Sequence, residues 1–253
     1  MGINDYDRIA DLYDIYIPFT FDVDFFVEET RKTPGEVLEL MSGTGRVSIP
    51  LLQAGVRLTC VDMSAESNAI LQRKLQQLGL KADVHCMDVR ALELDKKFEM
   101  VIIPFHSFAH LTTPEMQRTA LAHIREHLAP GGTFICTLRN PKVRGADIDG
   151  QMRLENRYAL PGDGVLLWWA VERFRDDASQ VVEAVQFYEE YDAHGLLTAK
   201  RLVELHFRLT ERREFEELAA AAGFRVKAFY GDYARSPFTD ESPFMIWILE
   251  GRV

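Results

Sequence analysis

No stretch of this chain stays apolar for long. Its longest hydrophobic runs, such as Met100–Phe105, fall far short of the ~20 residues that a membrane-spanning helix needs. Cysteine is scarce. Cys60, Cys86 and Cys136 are the three present, no two form a Cys-x-x-Cys pair, and each sits in an apolar run. That usage excludes a disulfide framework and points to buried free thiols in a reducing compartment. Positive charge is also short: 29 Lys and Arg against 39 Asp and Glu give a formal charge of −10. A general nucleic-acid binder needs cationic surface for phosphates, and a basic membrane-surface helix needs the same. The opening Met-Gly-Ile-Asn-Asp-Tyr-Asp is acidic and has no apolar signal core, so a cytoplasmic protein is expected. Gly2 begins a loose myristoylation pattern that fails at Tyr6. No cysteine–histidine cluster and no Asp-x-Asp-x-Asp-Gly loop calls for a metal. His123 and His127 are spaced i, i+4 but lack the glutamate that the zinc protease pattern places after the first histidine.

What is present suits a folded core: 47% hydrophobic, 27% charged and 11% aromatic residues. The first half alternates strand and helix signals. Short apolar runs at Glu36–Met41, Arg57–Val61, Ala82–Cys86, Phe98–Pro104 and Thr133–Leu138 read as five strands. Helices fill the gaps. One runs over Val47–Ala54, one is capped by Ser64 and stopped by Gly79, and one opens on Thr113-Pro114-Glu115 and ends at Leu128. Such alternation predicts βαβ units and a doubly wound parallel α/β sheet. From about Gln151 the period becomes two. Leu166–Phe174, Val181–Tyr191 and Leu197–Leu209 read as antiparallel strands, with turns at Pro161–Gly164, Asp176-Asp177 and Asp192–Gly195. Thr210 then caps a helix to Ala222, and strands at Phe224–Tyr230 and Pro243–Glu250 complete a seven-stranded sheet. The antiparallel block is therefore an insertion after strand five.

The chemistry gathers at strand ends. Val37-Leu-Glu-Leu-Met-Ser-Gly-Thr-Gly45 carries a strand into Gly-x-Gly and then a helix. Such a loop lets a ligand approach bare backbone. Ser48 replaces the third glycine of the dinucleotide pattern. Glu39 adds a carboxylate inside the apolar strand; it would repel a pyrophosphate and attract an ammonium. Asp62 ends the second strand, where an acid accepts from both ribose hydroxyls. Met63 beside it can pack on a purine. Asp88 follows the third strand and can accept from an adenine amino group, with the next backbone N–H meeting a ring nitrogen. Each acid alone also reads as a solvated loop end, but the three together mark one cofactor.

These residues resemble those of class I S-adenosylmethionine-dependent methyltransferases of the small-molecule type, such as sugar and amine N-methyltransferases. Val37–Gly45 resembles the family's first motif, with Met41 where its first glycine stands. Asp62 and Asp88 match the acids after strands two and three. Phe98–Leu111 and Leu128-Ala-Pro-Gly-Gly-Thr match strand four and the turn before strand five. The resemblance covers Tyr6 to about Leu138 and Thr210 to Val253. It implies a Rossmann-like fold binding S-adenosyl-L-methionine, with S-adenosyl-L-homocysteine as product. Its cofactor contacts fall on Tyr13, Glu39, Met41, Ser42, Gly43, Gly45, Arg46, Asp62, Met63, Asp88, Val89, Pro104 and Phe105. It also implies one domain over 1–253: lid helices at 1–33, a cofactor core at 34–140, the β insertion at 141–209 as acceptor cover or dimer face, and core completion at 210–253.

Tyr6 and Tyr13, seven apart on one helical face, resemble a lid. Methyl transfer is an in-line displacement, so the protein chiefly positions the acceptor and excludes water. His106 and His110, just past strand four, are the candidate base or orienting residues. Arg139 can hold an acceptor carboxylate or phosphate. Trp168 and Tyr233 are candidates for the acceptor wall. An Asn/Asp-Pro-Pro-Tyr motif, as in nucleic-acid methyltransferases, is absent after strand four. The expected activity is methyl transfer to a nitrogen or oxygen of a small molecule, with O-methylation using His106 or His110 as base the closest rival to N-methylation. An NAD-dependent oxidoreductase and a non-catalytic S-adenosylmethionine-binding protein, the latter favoured by Met41, also stay open. The acidic balance is taken to fit a small, cationic acceptor.

Overall fold

The computed structural model describes residues 6–176 and 180–252. A 3-10 segment over Tyr6–Leu12 runs into α1 (Tyr13–Tyr16), and α2 (Val23–Arg31) follows. Strands and helices then alternate: β1 (Val37–Leu40), α3 (Ser48–Gln53), β2 (Leu58–Asp62), α4 (Ala65–Leu78), β3 (Asp83–Cys86), β4 (Phe98–Ile103), α5 (Pro114–His127) and β5 (Leu128–Arg139). After α6 (Pro141–Arg144) come β6 (Met152–Leu160), β7 (Gly164–Phe174), β8 (Val181–Tyr191) and β9 (Leu197–Arg208). Then α7 (Arg212–Ala221), β10 (Phe224–Tyr230) and β11 (Phe244–Gly251) return to the first sheet.

That sheet has the order β10-β11-β5-β4-β1-β2-β3. The pairs from β5 to β3 are parallel, and β11 runs antiparallel to both β5 and β10. The expected seven-stranded, doubly wound α/β architecture is thus present. The chain moves outward from β1 through β2 to β3, then returns to β1's other side as β4. This reversal opens a crevice at the carboxyl ends of β1 and β4, where such folds bind ligands. β1 and β4 are buried on both faces, apart from Glu99, which explains their almost unbroken apolar sequences.

Local signals set the helix ends as the sequence predicts. Ser64 Oγ accepts from Ser67 N at 3.0 Å, and Gly79 closes α4 in the left-handed conformation at φ +66°. Thr113 Oγ1 accepts from Met116 N at 3.2 Å, with Pro114 as the first residue of α5. Ser64 Oγ also bonds the Asp7 carboxylate. Ser64→Ala removes both contacts and is expected to cost about 1–2 kcal/mol of stability, read as a lower urea midpoint with an unchanged m-value.

Four elements depart from the sequence reading. β6 was not foreseen, because a bulge between Leu154 and Asn156 breaks the alternation of this exposed edge strand. β5 begins at Leu128 rather than Thr133, with its register against β4 shifting between Phe98 and Met100. α7 starts at Arg212 after Glu211, not on a Thr210 cap. Thr210 is buried instead, and its hydroxyl accepts from Gln117 Nε2 at 2.8 Å. The lid is mostly 3-10 rather than α. The expected turn at Asp176-Asp177 lies in part outside the described residues. Cys60 and Cys136 are buried thiols as expected, but Cys86 is exposed at the end of β3.

Two apolar layers flank the sheet, one under α5 and α7 and one under α2, α3 and α4. A third cluster joins the lid to the inner face of the β6–β9 sheet. It packs Ile9, Leu12 and Tyr16 against Leu166, Ala184, Tyr188 and Leu205. Lid and insertion therefore form one roof over the crevice. Among the described residues no helix is long and apolar enough to cross a membrane.

Candidate active site

The loop after β1 is shaped by left-handed residues. Met41 has φ +57°, Gly43 +57° and Gly45 +90°. A Cβ on Gly45 would lie 2.4 Å from Leu71 Cδ1, whereas one on Gly43 would meet nothing within 4 Å. Gly45 is thus required for packing, and Gly43 gives the loop an open edge. Met41 takes a conformation that costs a side-chain-bearing residue about 1–2 kcal/mol. Its side chain packs on the core below while still lining the crevice, so glycine's absence does not close the site.

Asp62 locks two loops together. Its Oδ2 accepts from Gly43 N and its Oδ1 from Ser64 N, each at 2.8 Å. Burial raises its pKa, against these hydrogen bonds. Asp88 is held differently: Arg90 clasps its carboxylate, with Nε 2.9 and 3.0 Å from the two oxygens, and this pair lowers its pKa. Glu39 is fully buried and accepts from Ser48 Oγ at 2.6 Å. Burial pushes its pKa up to about 8. Ser48, the missing third glycine, is thereby explained as the partner of the strand acid. Arg46 makes a fork–fork pair with buried Asp22 at 2.6 and 2.7 Å, bonds Phe19 O at 2.8 Å, and stacks 4.3 Å over the Phe105 ring.

A cavity of about 620 Å³ fills the crevice beneath the roof. It brings together Tyr6, Tyr13, Met41, Gly43, Asp62, Met63, Asp88, Val89, Phe105, His106, His110, Arg139 and Trp168. Six other sequence candidates do not line it. Five of them are Glu39, Ser42, Gly45, Arg46 and Pro104. Tyr233 lies in an aromatic cluster with Phe21, Phe25, Phe26 and Phe244, so its assignment to the acceptor wall is corrected. Phe244, which does line the cavity, stands in its place.

The residues past β4 carry strain. Phe105 and His106 are consecutive left-handed residues, at φ +53° and +64°, a pattern that marks functional loops. The His106 ring stacks 4.9 Å from Phe244, and both its nitrogens are buried without a hydrogen-bond partner among the described residues. Burial, then the charges of Arg139 and Arg46, hold its pKa well below 6.5. His110 bonds Tyr6 OH through Nε2 at 2.9 Å and His206 O through Nδ1 at 3.1 Å. Burial lowers its pKa too. Trp168 stacks parallel to Tyr188, 6.3 Å away, on the inner face of the insertion.

Four guanidiniums line the cavity. Arg90 meets Asp88, Arg144 meets Glu172, and Arg208 meets Glu214 at 2.8 Å. Arg139 stacks 5.5 Å from the Phe244 ring and has no carboxylate within ion-pair distance among the described residues. Burial lowers its pKa. Arg144, Glu172, Gln186, Phe207 and Arg208 were missed from sequence. Their spacing signals only strands, and the way β7 to β9 fold back creates their proximity. His123 and His127 lie outside this site; His127 accepts from Leu94 N at 3.0 Å and sits 2.7 Å from His123 O.

Comparison with known proteins agrees with the motifs. A methyltransferase domain model matches residues 37–132, the span from β1 into β5 that holds Glu39, Asp62 and Asp88. That match and the motifs support a class I S-adenosylmethionine-dependent methyltransferase. The chain is 29% identical over 219 residues to the cypemycin N-terminal methyltransferase of a Streptomyces species, covering 85% of this chain and 82% of the relative. It superposes with a TM-score of 0.82 on an S-adenosylmethionine-dependent methyltransferase from Clostridium acetobutylicum, at 18% identity over 98% of this chain and 99% of that one. The sugar N-methyltransferase KedS8 from a Streptoalloteichus species gives 0.75, at 18% identity over 96% and 92%. Those coverages take in the Tyr6–Tyr16 segment and the β6–β9 sheet as well as the seven-stranded sheet.

Proposed function

We propose that this enzyme methylates an amine nitrogen of a small-molecule acceptor. The observation that carries this reading is His106, a neutral imidazole at the cavity wall whose pKa lies well below the ordinary histidine range. So weak a base does not strip a proton from an alcohol or phenol, but it can orient a neutral amine whose lone pair is already the nucleophile.

The residues fit the cofactor. Gly43 leaves an open edge on the loop, Asp62 lines the cavity with an acid already oriented by two backbone N–H groups, and Asp88 lies one strand further along. Asp62 would hold the ribose, Asp88 and Val89 the adenine, and Tyr13 the lid side. Glu39, behind the loop, would face the amino-acid ammonium, with Arg46 bracing the floor. Bound there, S-adenosylmethionine supplies an electrophilic methyl group. The chain's own task is to orient the acceptor, and the roof excludes water. Arg139 would hold an acceptor carboxylate, Trp168 would flank the acceptor, and His106 and His110 would orient its nitrogen. An acceptor bearing a negative group is preferred here to the cationic one inferred from net charge, because Arg139 lines the cavity with no carboxylate in ion-pair distance among the described residues. The oxidoreductase alternative loses ground to the methyltransferase family match.

The test is calorimetric and radiometric. S-adenosylhomocysteine should bind the purified chain, and labelled methyl should pass from S-adenosylmethionine to primary amines in preference to phenols of the same skeleton. Absence of binding sinks the cofactor reading. Binding without any transfer supports a non-catalytic binder, and transfer to phenols alone supports O-methylation.

A further inference from the structure

The bond between Tyr6 and His110 has a direction, and the insertion sets it. Nδ1 of His110 lies 3.1 Å from the carbonyl oxygen of His206 on β9. A carbonyl only accepts, so Nδ1 carries the ring's hydrogen. Burial keeps the ring neutral by lowering its pKa, which leaves Nε2 bare. Nε2 therefore accepts from the Tyr6 hydroxyl, 2.9 Å away. That hydroxyl has a single hydrogen and burial holds it in place, raising the phenol pKa well above 10. With the hydrogen committed to His110, the Tyr6 oxygen retains only acceptor capacity, and Tyr6 lines the cavity.

We infer that Tyr6 is a specificity-determining residue whose oxygen is fixed as a hydrogen-bond acceptor for an N–H of the acceptor amine. This rests on the amine reading above and adds how the amine is chosen. A three-link chain results: amine N–H to Tyr6 oxygen, Tyr6 O–H to His110 Nε2, and His110 Nδ1–H to His206 oxygen. Each link polarises the next in the same sense. The arrangement discriminates against ethers and tertiary amines, which bring no hydrogen. The lone pair of a donating nitrogen stays available for the methyl group. His110 thus acts through Tyr6 as a positioning residue, and β9 couples the insertion to the choice of nucleophile.

Three measurements test this on the full chain. Long-range proton–nitrogen NMR should find His110 as the Nδ1–H tautomer. Benzylamine, titrated at fixed pH into the complex with saturating S-adenosylhomocysteine, should bind about tenfold more weakly to Tyr6→Phe than to wild type, the size of one lost hydrogen bond. Benzyl methyl ether should bind both alike, and the variant should retain its affinity for S-adenosylhomocysteine. An Nε2–H tautomer overturns the inference. So does benzylamine binding that ignores the substitution, or no better binding of benzylamine than of the ether. A loss of S-adenosylhomocysteine affinity in Tyr6→Phe overturns it by assigning the hydroxyl to the cofactor. Failure of wild type to bind S-adenosylhomocysteine counts instead against the methyltransferase reading, and the tautomer still decides the direction of the bond.

Discussion

Asp62→Ala should weaken S-adenosylhomocysteine binding by about a hundredfold or more, and lower stability as well. Two effects combine. The side chain would hold both ribose hydroxyls through hydrogen bonds to a charged group, each contributing about 1.5–3 kcal/mol. It also accepts from Gly43 N and Ser64 N, so its removal strands two backbone donors and frees the glycine loop from the start of α4. A second variant separates the two. Asp62→Asn keeps the shape and one acceptor, so it should recover part of the stability but little of the binding. Calorimetric titration beside thermal unfolding reads both effects. Unchanged affinity in the alanine variant would remove Asp62 from the cofactor site.

Glu39→Gln should abolish a pH dependence of stability. The carboxyl titrates near 4.5 in the unfolded chain and near 8 in the folded one. Between those values the unfolded chain releases a proton that the folded chain keeps, so stability falls as pH rises. The contribution is fully present below about pH 4.5 and lost by about pH 8. Glutamine, which accepts the Ser48 hydrogen bond without charge, removes this penalty. The variant should match wild type at pH 5. At pH 8 it should be the more stable by on the order of 2 kcal/mol, a difference of several degrees in Tm. Added S-adenosylhomocysteine should narrow the gap, because an ammonium beside Glu39 stabilises the carboxylate. Parallel curves from pH 5 to pH 8 would show that Glu39 stays ionised.

The glycine loop and the strand-end acids were legible in the sequence because their determinants are local. A strand, a turn and an acid lie within a few residues of one another, so Glu39, Asp62 and Asp88 announce themselves by position. Ser48 illustrates the limit. It reads as a defect in a glycine pattern, and only the 2.6 Å contact with Glu39 reveals it as that acid's partner. The wall of the cavity contributed by α6 and β7–β9 was poorly legible. Arg144 and Glu172 are 28 residues apart in the chain, and neither carries a motif. Tyr233 shows the same limit: an aromatic near a sheet edge can line the cavity or pack behind residues that do, as Tyr233 packs on Phe21 and Phe244. Net charge says nothing of where charges sit: in a chain of charge −10, Arg139 lines the cavity with no carboxylate in ion-pair distance among the described residues.

The roof has a consequence for the order in which this molecule assembles and opens. Its ties join positions far apart in the chain: Tyr6 to His110 across 104 residues, Tyr158 OH to Tyr16 O across 142, and Arg201 to Asp11 across 190. Such closures span far more chain than the β1–β2 and β2–β3 pairs of the sheet and lose more chain entropy. The lid segment Tyr6–Tyr16, tied only through such closures, is therefore expected to dock late and open early. Amide exchange should be fastest across Tyr6–Tyr16 and slowest in β1 and β4, and a bound cofactor should slow the first far more than the second.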